Sequence, residues 1–302
     1  PTAQQKTFQP DTRAKLPSQT GALTAPAAAA PTGSVVTVHP GESIQDAIDK
    51  NKNTNNPVIL TKGIHTIKEP LKIQSGITLA GEGKETILFL SPGSRETTII
   101  NASSDLHDVT IRDLLIEGAI KTVENEDPNH DRRTRSYMSA PSREGILFAA
   151  DKANQMKNIR FENLTVQNCT KNGVAIKGAS GIKIINCDFS DNGSSVVPGA
   201  GLHHNLLLLH VSDCEIRNSR FDTSPWGSGI DLSFGKNVII TGNEAARNTL
   251  SGIRCTESEN VHITGNLIEG NNRDGISLDT LLDGSKGIET DNNLLQLNGQ
   301  PR

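Results

Sequence analysis

The side chains able to do chemistry sit in a few short phrases. Lys177 closes Gly173-Val-Ala-Ile-Lys, His203 and His204 lead into Asn205-Leu-Leu-Leu, Asp231 lies in Gly229-Ile-Asp-Leu, and Arg254 in Gly252-Ile-Arg-Cys. Upstream, His130, Arg132, Arg133, Arg135 and Tyr137 gather cations around a phenol ahead of Arg143 and Glu144, and Trp226 is the only tryptophan. Cations placed beside a sugar carboxylate, with a base for the C5 proton and an acid for the O4 leaving group, are what β-elimination of a uronic acid requires. On that chemistry His204 or Lys177 is the expected base with His203 beside it, Arg254 and Lys177 hold the carboxylate, and Tyr137 is the acid. Asp231 orients Arg254, Trp226 offers a stacking platform, and Arg132, Arg135 and Asn172 line the binding groove. Each residue also has a plainer account. Arg132, Arg133 and Arg135 read as a solvated charge run, Lys177 as an ordinary exposed lysine, the two histidines as polar-loop residues, and Trp226 as cover for an apolar edge. Asp231 and Arg254 read as a surface ion pair worth under ~1 kcal/mol.

These phrases recur, and the recurrence says what positions them. One phrase is an apolar-x-apolar strand ending in Asn: Ile159-Arg-Phe-Glu-Asn163, Ile182-Lys-Ile-Ile-Asn186, Cys214-Glu-Ile-Arg-Asn218, Val238-Ile-Ile-Thr-Gly-Asn243 and Val261-His-Ile-Thr-Gly-Asn266. The other is led by Gly145, Gly173, Gly229, Gly252 or Gly275, with Asn205 in the equivalent place. The Asn positions step by 23, 32, 25 and 23 residues, and the Gly-led phrases by 28, 32, 24, 23 and 23. A step near 23 with insertions suits one coil of a parallel β-solenoid, whose short strands bury their apolar side only by stacking on the next coil. Asn at the turns tolerates left-handed geometry and can bond to Asn one coil on. Looser phrases at Ile77-Thr-Leu-Ala-Gly81 and Val109-Thr-Ile-Arg-Asp113 extend the pattern upstream. About ten coils are expected from residue 34 onward.

Strand alternation then sets which side chains face outward. One outward file reads Leu147, Ala175, Leu207, Asp231, Arg254, Ser277, and its neighbour Ala149, Lys177, Leu209, Ser233, Thr256, Asp279. Coils repeat at about 4.8 Å, so Asp231 and Arg254 are expected to touch. The connection from Asn-ended to Gly-led phrase swells at residues 118–144 and 187–204. Both insertions leave the same edge and should flank the coil carrying Asn172 and Lys177, making a groove.

Composition limits the alternatives. The chain has 302 residues, only 3% aromatics and 27 glycines, a poor match to a globular α/β protein of that length. A net charge of −4 argues against a general nucleic-acid binder. No run of 18 apolar residues is present to span a membrane. Cys169, Cys187, Cys214 and Cys255 have no metal-ligand spacing and read as small buried residues. Residues 1–33, rich in Pro, Ala, Thr and Gln, read as a flexible tail or linker, and 34–302 as one solenoid domain. The sequence is expected to begin after any export signal, and the polar tail fits a secreted, periplasmic or cell-surface protein. Gly41 to Lys50 reads as a short amphipathic helix with Ser43 as N-cap, placed to close the first coil.

The phrase from Gly41 to Leu60, the Gly81-Glu-Gly83 turn and the Asn-ended strands together resemble the pectate-lyase-like superfamily of right-handed parallel β-helices, over residues 34 to about 298. The resemblance implies an all-β right-handed solenoid and a carbohydrate-related role, and it extends over polysaccharide lyases, glycoside hydrolases, uronan C5-epimerases and proteins without known chemistry. Galacturonan hydrolases of this fold carry an Asp-Asp pair, a Gly-His-Gly and an Arg-x-Lys, which are missing from the expected strands here, and Asp127-Pro-Asn-His130 only partly matches the epimerases' Asp-Pro-His-Glu. The expected function is therefore a polysaccharide lyase, a monomer acting on an acidic polysaccharide or oligosaccharide. A hydrolase, an epimerase and a non-catalytic carbohydrate-binding or structural β-helix are the alternatives. No cofactor is expected; Ca2+, which some lyases of the group use, would find Asp231 and Asp279 but no acidic trio.

Overall fold

The computed structural model describes residues 34–52, 54, 56–91, 97–118, 144–193 and 202–300. The tail 1–33 and much of the two insertions, with Arg132, Arg135 and Tyr137, lie outside them. The repeated phrases stack in parallel as the periodicity requires, but each coil carries three strands where the sequence shows two. The Asn-ended phrases form a first sheet of ten strands and the Gly-led phrases a third sheet of eight. Between them runs a second sheet of nine, made of strands hidden in the apparent loops, such as Thr165–Gln167, Asp188–Ser190, Arg220–Asp222 and Glu244–Ala246. Each of these turns a single central side chain inward, Val166, Phe189, Phe221 and Ala245, all fully buried. Three residues with one apolar centre are too short for alternation to announce a strand.

The solenoid completes about nine turns rather than ten. After the first strand, Val36–Val38, the helix Ile44–Asn51 stands where the other two strands of that turn would run. Ser43 is its N-cap, its hydroxyl accepting from the Asp46 amide at 3.2 Å, and Ile44, Ala47 and Ile48 join the apolar core. That core continues without a break to Ile268 and includes a file of rings, Phe148, Phe161, Phe189 and Phe221, at centroid separations of 6.2, 6.5 and 5.8 Å. Burying each ring stabilises the stack by about 1.5–3 kcal/mol. All four cysteines are buried and unpaired, and burial pushes the thiols of Cys187, Cys214 and Cys255 up to about 12, which leaves them inert as nucleophiles. Among the described residues no helix is long and apolar enough to cross a membrane.

The turn asparagines divide into two jobs, and the sequence register between them is off by one. Asn163, Asn186 and Asn218 adopt positive φ at the corner between first and second sheets, where Gly242 and Gly265 occupy the same rung position. Short polar side chains and glycine are the residues that tolerate this left-handed geometry. Asn243 and Asn266 come one residue later and form the buried ladder: the Asn243 amide donates to Asn266 Oδ1 at 2.9 Å and its side-chain amide to the same oxygen at 3.1 Å. A parallel ladder of Asn248, Asn271 and Asn298 lines the corner between second and third sheets.

Candidate functional site

The third sheet places the outward files as alternation predicts. Asp231 pairs in register with Leu207 on one side and Arg254 on the other, and Arg254 with Ser277. Arg254 Nη1 donates to Asp231 Oδ2 at 2.9 Å, and its Nε to Asp279 Oδ2 at 2.6 Å. The free oxygens are also engaged: Ser233 donates to Asp231 Oδ1 at 3.1 Å, and Ser277 donates to Asp279 Oδ1. Asp231 faces outward yet is 2% exposed, because Arg254 and His204 cover it, whereas the Arg254 and Asp279 side chains stay 25% and 37% exposed. The Ser277 hydroxyl, then the Arg254 guanidinium and, from farther off, Arg273 hold the Asp279 carboxyl below its usual range. A carboxylate–guanidinium–carboxylate chain therefore runs across three strands with its outer half in solvent.

The histidines sit beneath this chain rather than on an open loop. His204 is almost fully buried. Its Nδ1 accepts the Ser228 backbone N–H at 3.0 Å, which places the ring proton of the neutral form on Nε2, 3.6 Å from Asp231 Oδ2. Burial lowers its pKa, against the pull of Asp231 and with the help of Arg254. With Nδ1 occupied and Nε2 facing Asp231, His204 has no lone pair for a substrate proton, so the sequence's first choice of base is already committed.

His203 differs. Burial, Lys171 and His204 bring its pKa down to about 4, so it is neutral at ordinary pH, and neither ring nitrogen has a hydrogen-bond partner. Two glycines on neighbouring coils make room for it. A Cβ on Gly193 would stand 3.0 Å from the His203 carbonyl oxygen, and one on Gly227 only 1.8 Å from it. Gly227 thereby packs its backbone against the histidine pair, one residue after Trp226, which is 38% exposed. Asn172 secures the same corner from below, its Oδ1 accepting the His204 amide at 2.7 Å.

Of the residues singled out by sequence, the structure thus gathers His203, His204, Asn172, Trp226, Asp231 and Arg254 along one side of the third sheet. Lys177 is exposed and stands in the same outward file as Asp279, two coils from Ser233, but it pairs with Leu209, five residues beyond His204, or about 16 Å along an extended strand from the histidines. Arg132, Arg135 and Tyr137 lie outside the described residues. Sequence reasoning missed Asp279 as a partner of Arg254, although it stands in the outward file next to Arg254's own, and missed Ser228 because its contribution is a backbone amide. Among the described residues no group of three His, Cys, Asp or Glu is arranged to hold a metal ion.

Comparison with known proteins bears on the fold. Residues 99–295 match the family model described as right handed beta helix region. No curated protein is significantly similar to the chain. Among solved structures, PfbA, a surface adhesin of Streptococcus pneumoniae, superposes with a TM-score of 0.66 at 14% identity, covering 87% of this chain and 73% of that one. The N-terminal fragment of bacteriophage Phi29 gene product 12 gives 0.60 at 15% identity, over 80% of this chain and 42% of that one. A pectin methylesterase in complex with a hexasaccharide gives 0.52 at 11% identity, over 82% of each.

Proposed function

The chain belongs to the right-handed β-helix family, and from that premise we propose that the outer face of its third sheet holds a carbohydrate chain. The observation that carries this reading is the Asp231–Arg254–Asp279 chain: rigid planar donors and acceptors, fixed by one another and half open to solvent, offer paired hydrogen bonds to sugar hydroxyls. Trp226 adds an exposed ring at the edge of the same sheet. The pectin methylesterase neighbour carries a hexasaccharide on a similar fold, and the adhesin neighbour is a surface protein, in keeping with an extracellular setting. Glycan-array binding tests the proposal. Wild type should bind at least one oligosaccharide class, Asp279→Asn and Trp226→Ala should weaken it, and Lys236→Ala on the first sheet should not. Equal binding by all four proteins would refute it.

Cleavage by β-elimination is the second reading, and one observation favours it: His203 is a neutral imidazole with both nitrogens unengaged, although both are buried and the corner has to open for them to meet a substrate. In this version His203 replaces His204 as the base. An unsaturated, ultraviolet-absorbing product from a uronan panel, lost in His203→Ala, is the expected signature. Binding without such a product leaves a carbohydrate-binding β-helix.

A further inference from the structure

Building on the carbohydrate reading, we infer that the Arg254–Asp279 subsite takes uncharged sugar units through their hydroxyls and does not clasp a uronate carboxylate. A guanidinium recognises a carboxylate best through two parallel N–H bonds, which needs one of its edges open. Here Nε donates to Asp279 and Nη1 to Asp231, so two of the five N–H donors already serve carboxylates of the protein itself. An incoming carboxylate would stand close to both of them and be repelled by their charge. What remains are the other N–H donors of Arg254, a quarter exposed, next to the half-open Asp279 carboxylate, a donor beside an acceptor, which fits neighbouring hydroxyls on a sugar ring.

Charge points the same way. Arg254 and Arg273 are balanced by Asp231 and Asp279, and His204 is neutral, so the patch has no surplus positive charge. Lys177, the exposed cation of this face, lies two coils away from Ser233 in the neighbouring file. A second, independent feature is Thr256, which lies between Ser233 and Asp279 in register, is 1% exposed, and has a hydroxyl without a partner. That is a buried polar group of the kind a hydroxyl ligand satisfies.

Calorimetric titration of the intact chain tests this with two panels, neutral hexose oligosaccharides and oligouronates, each at low and high salt. The expected result is binding of a neutral oligosaccharide that salt does not alter and that Asp279→Asn weakens by roughly 10- to 100-fold, the loss of one or two charge-assisted hydrogen bonds. Thr256→Val, which keeps the shape, should weaken it several-fold with a melting temperature that is unchanged or raised. Arg254→Gln is a poorer probe because it leaves Asp231 buried and unpaired, so Asp279→Asn, at a half-open position, carries the test. Uronate binding that salt abolishes and Asp279→Asn strengthens would overturn this inference and leave the carbohydrate reading standing. Failure of both panels would overturn both.

Discussion

The corner between the second and third sheets is built in two ways along one chain. In the later coils Asn248, Asn271 and Asn298 stack, each oxygen accepting a backbone N–H from the coil before, and each side-chain amide of Asn248 and Asn271 donating to the next oxygen and to a carbonyl. One coil before Asn248, Ser224 stands where the ladder needs Asn. Asn205, from the start of the third-sheet strand one coil below, reaches across to fill the gap, accepting from Asn192 and donating to Asn248 Oδ1 at 3.1 Å. Around this repair Thr170, His203 and Ser228 hold buried polar atoms without partners, while no ladder asparagine does. An unpaired buried polar group costs about 1–3 kcal/mol. The regular corners thus commit their asparagines to the backbone, and the irregular corner leaves polar atoms buried without partners. His203, His204 and Asp231 lie on this irregular stretch, whereas Arg254 and Asp279 lie on the regular coils that follow it.

The contrast can be broken by mutation. The largest effect is expected from Asn271→Ala, which strips partners from the Asn248 amide and the Ala245 carbonyl in the dry corner. Denaturant unfolding should show a loss of about 3 kcal/mol, two groups at 1–3 kcal/mol each. A loss below about 1 kcal/mol would mean that the ladder is decoration. His203→Leu, at the irregular corner, should be neutral or stabilising at pH 7, because an unpartnered imidazole gives way to an apolar group. It should also change the pH profile. His203 has its pKa lowered from 6.5 to about 4 in the folded chain, so its contribution is whole above pH 6.5 and is lost as pH falls towards 4, where the unfolded chain takes up a proton first. The variant should flatten that limb, and a profile identical to wild type would remove His203 from the account.

The smallest effect concerns Glu257, another side chain of the regular coils given over to the backbone. Its carboxylate accepts from the amides of Leu281, Leu282, Asp283 and Gly284, which, with the Leu282 amide foremost, hold its pKa at about 2. Anchoring of this turn should be complete above pH 4.5 and disappear as pH falls through about 2. Glu257→Gln should speed hydrogen exchange at those four amides at neutral pH while leaving the core strands unchanged.

Much of the fold was legible in the chain, and less of the site. The Gly-led phrases gave the outward files residue for residue, and the Asp231–Arg254 contact with them, because period-two alternation and the hydrogen-bonded rung are local rules. The second sheet was hidden, since strands such as Arg220–Asp222 turn only one side chain inward. The histidines were read as candidate bases or polar-loop residues, and their burial was not foreseen, because Gly193 and Gly227 close on them from neighbouring coils. Lys177 shares their face but lies too far along its strand to join them.

By itself, then, the sequence determined that the chain must coil, where its strands repeat and which side of each faces out, because a strand cannot hide its apolar side without a copy stacked upon it. Only the tertiary structure decided which polar side chains are buried, which nitrogen of His204 is occupied, and that Arg254 already holds two carboxylates. Those outcomes depend on how the corners bring distant coils into contact, and corner paths accumulate from many left-handed turns that no single phrase of sequence specifies.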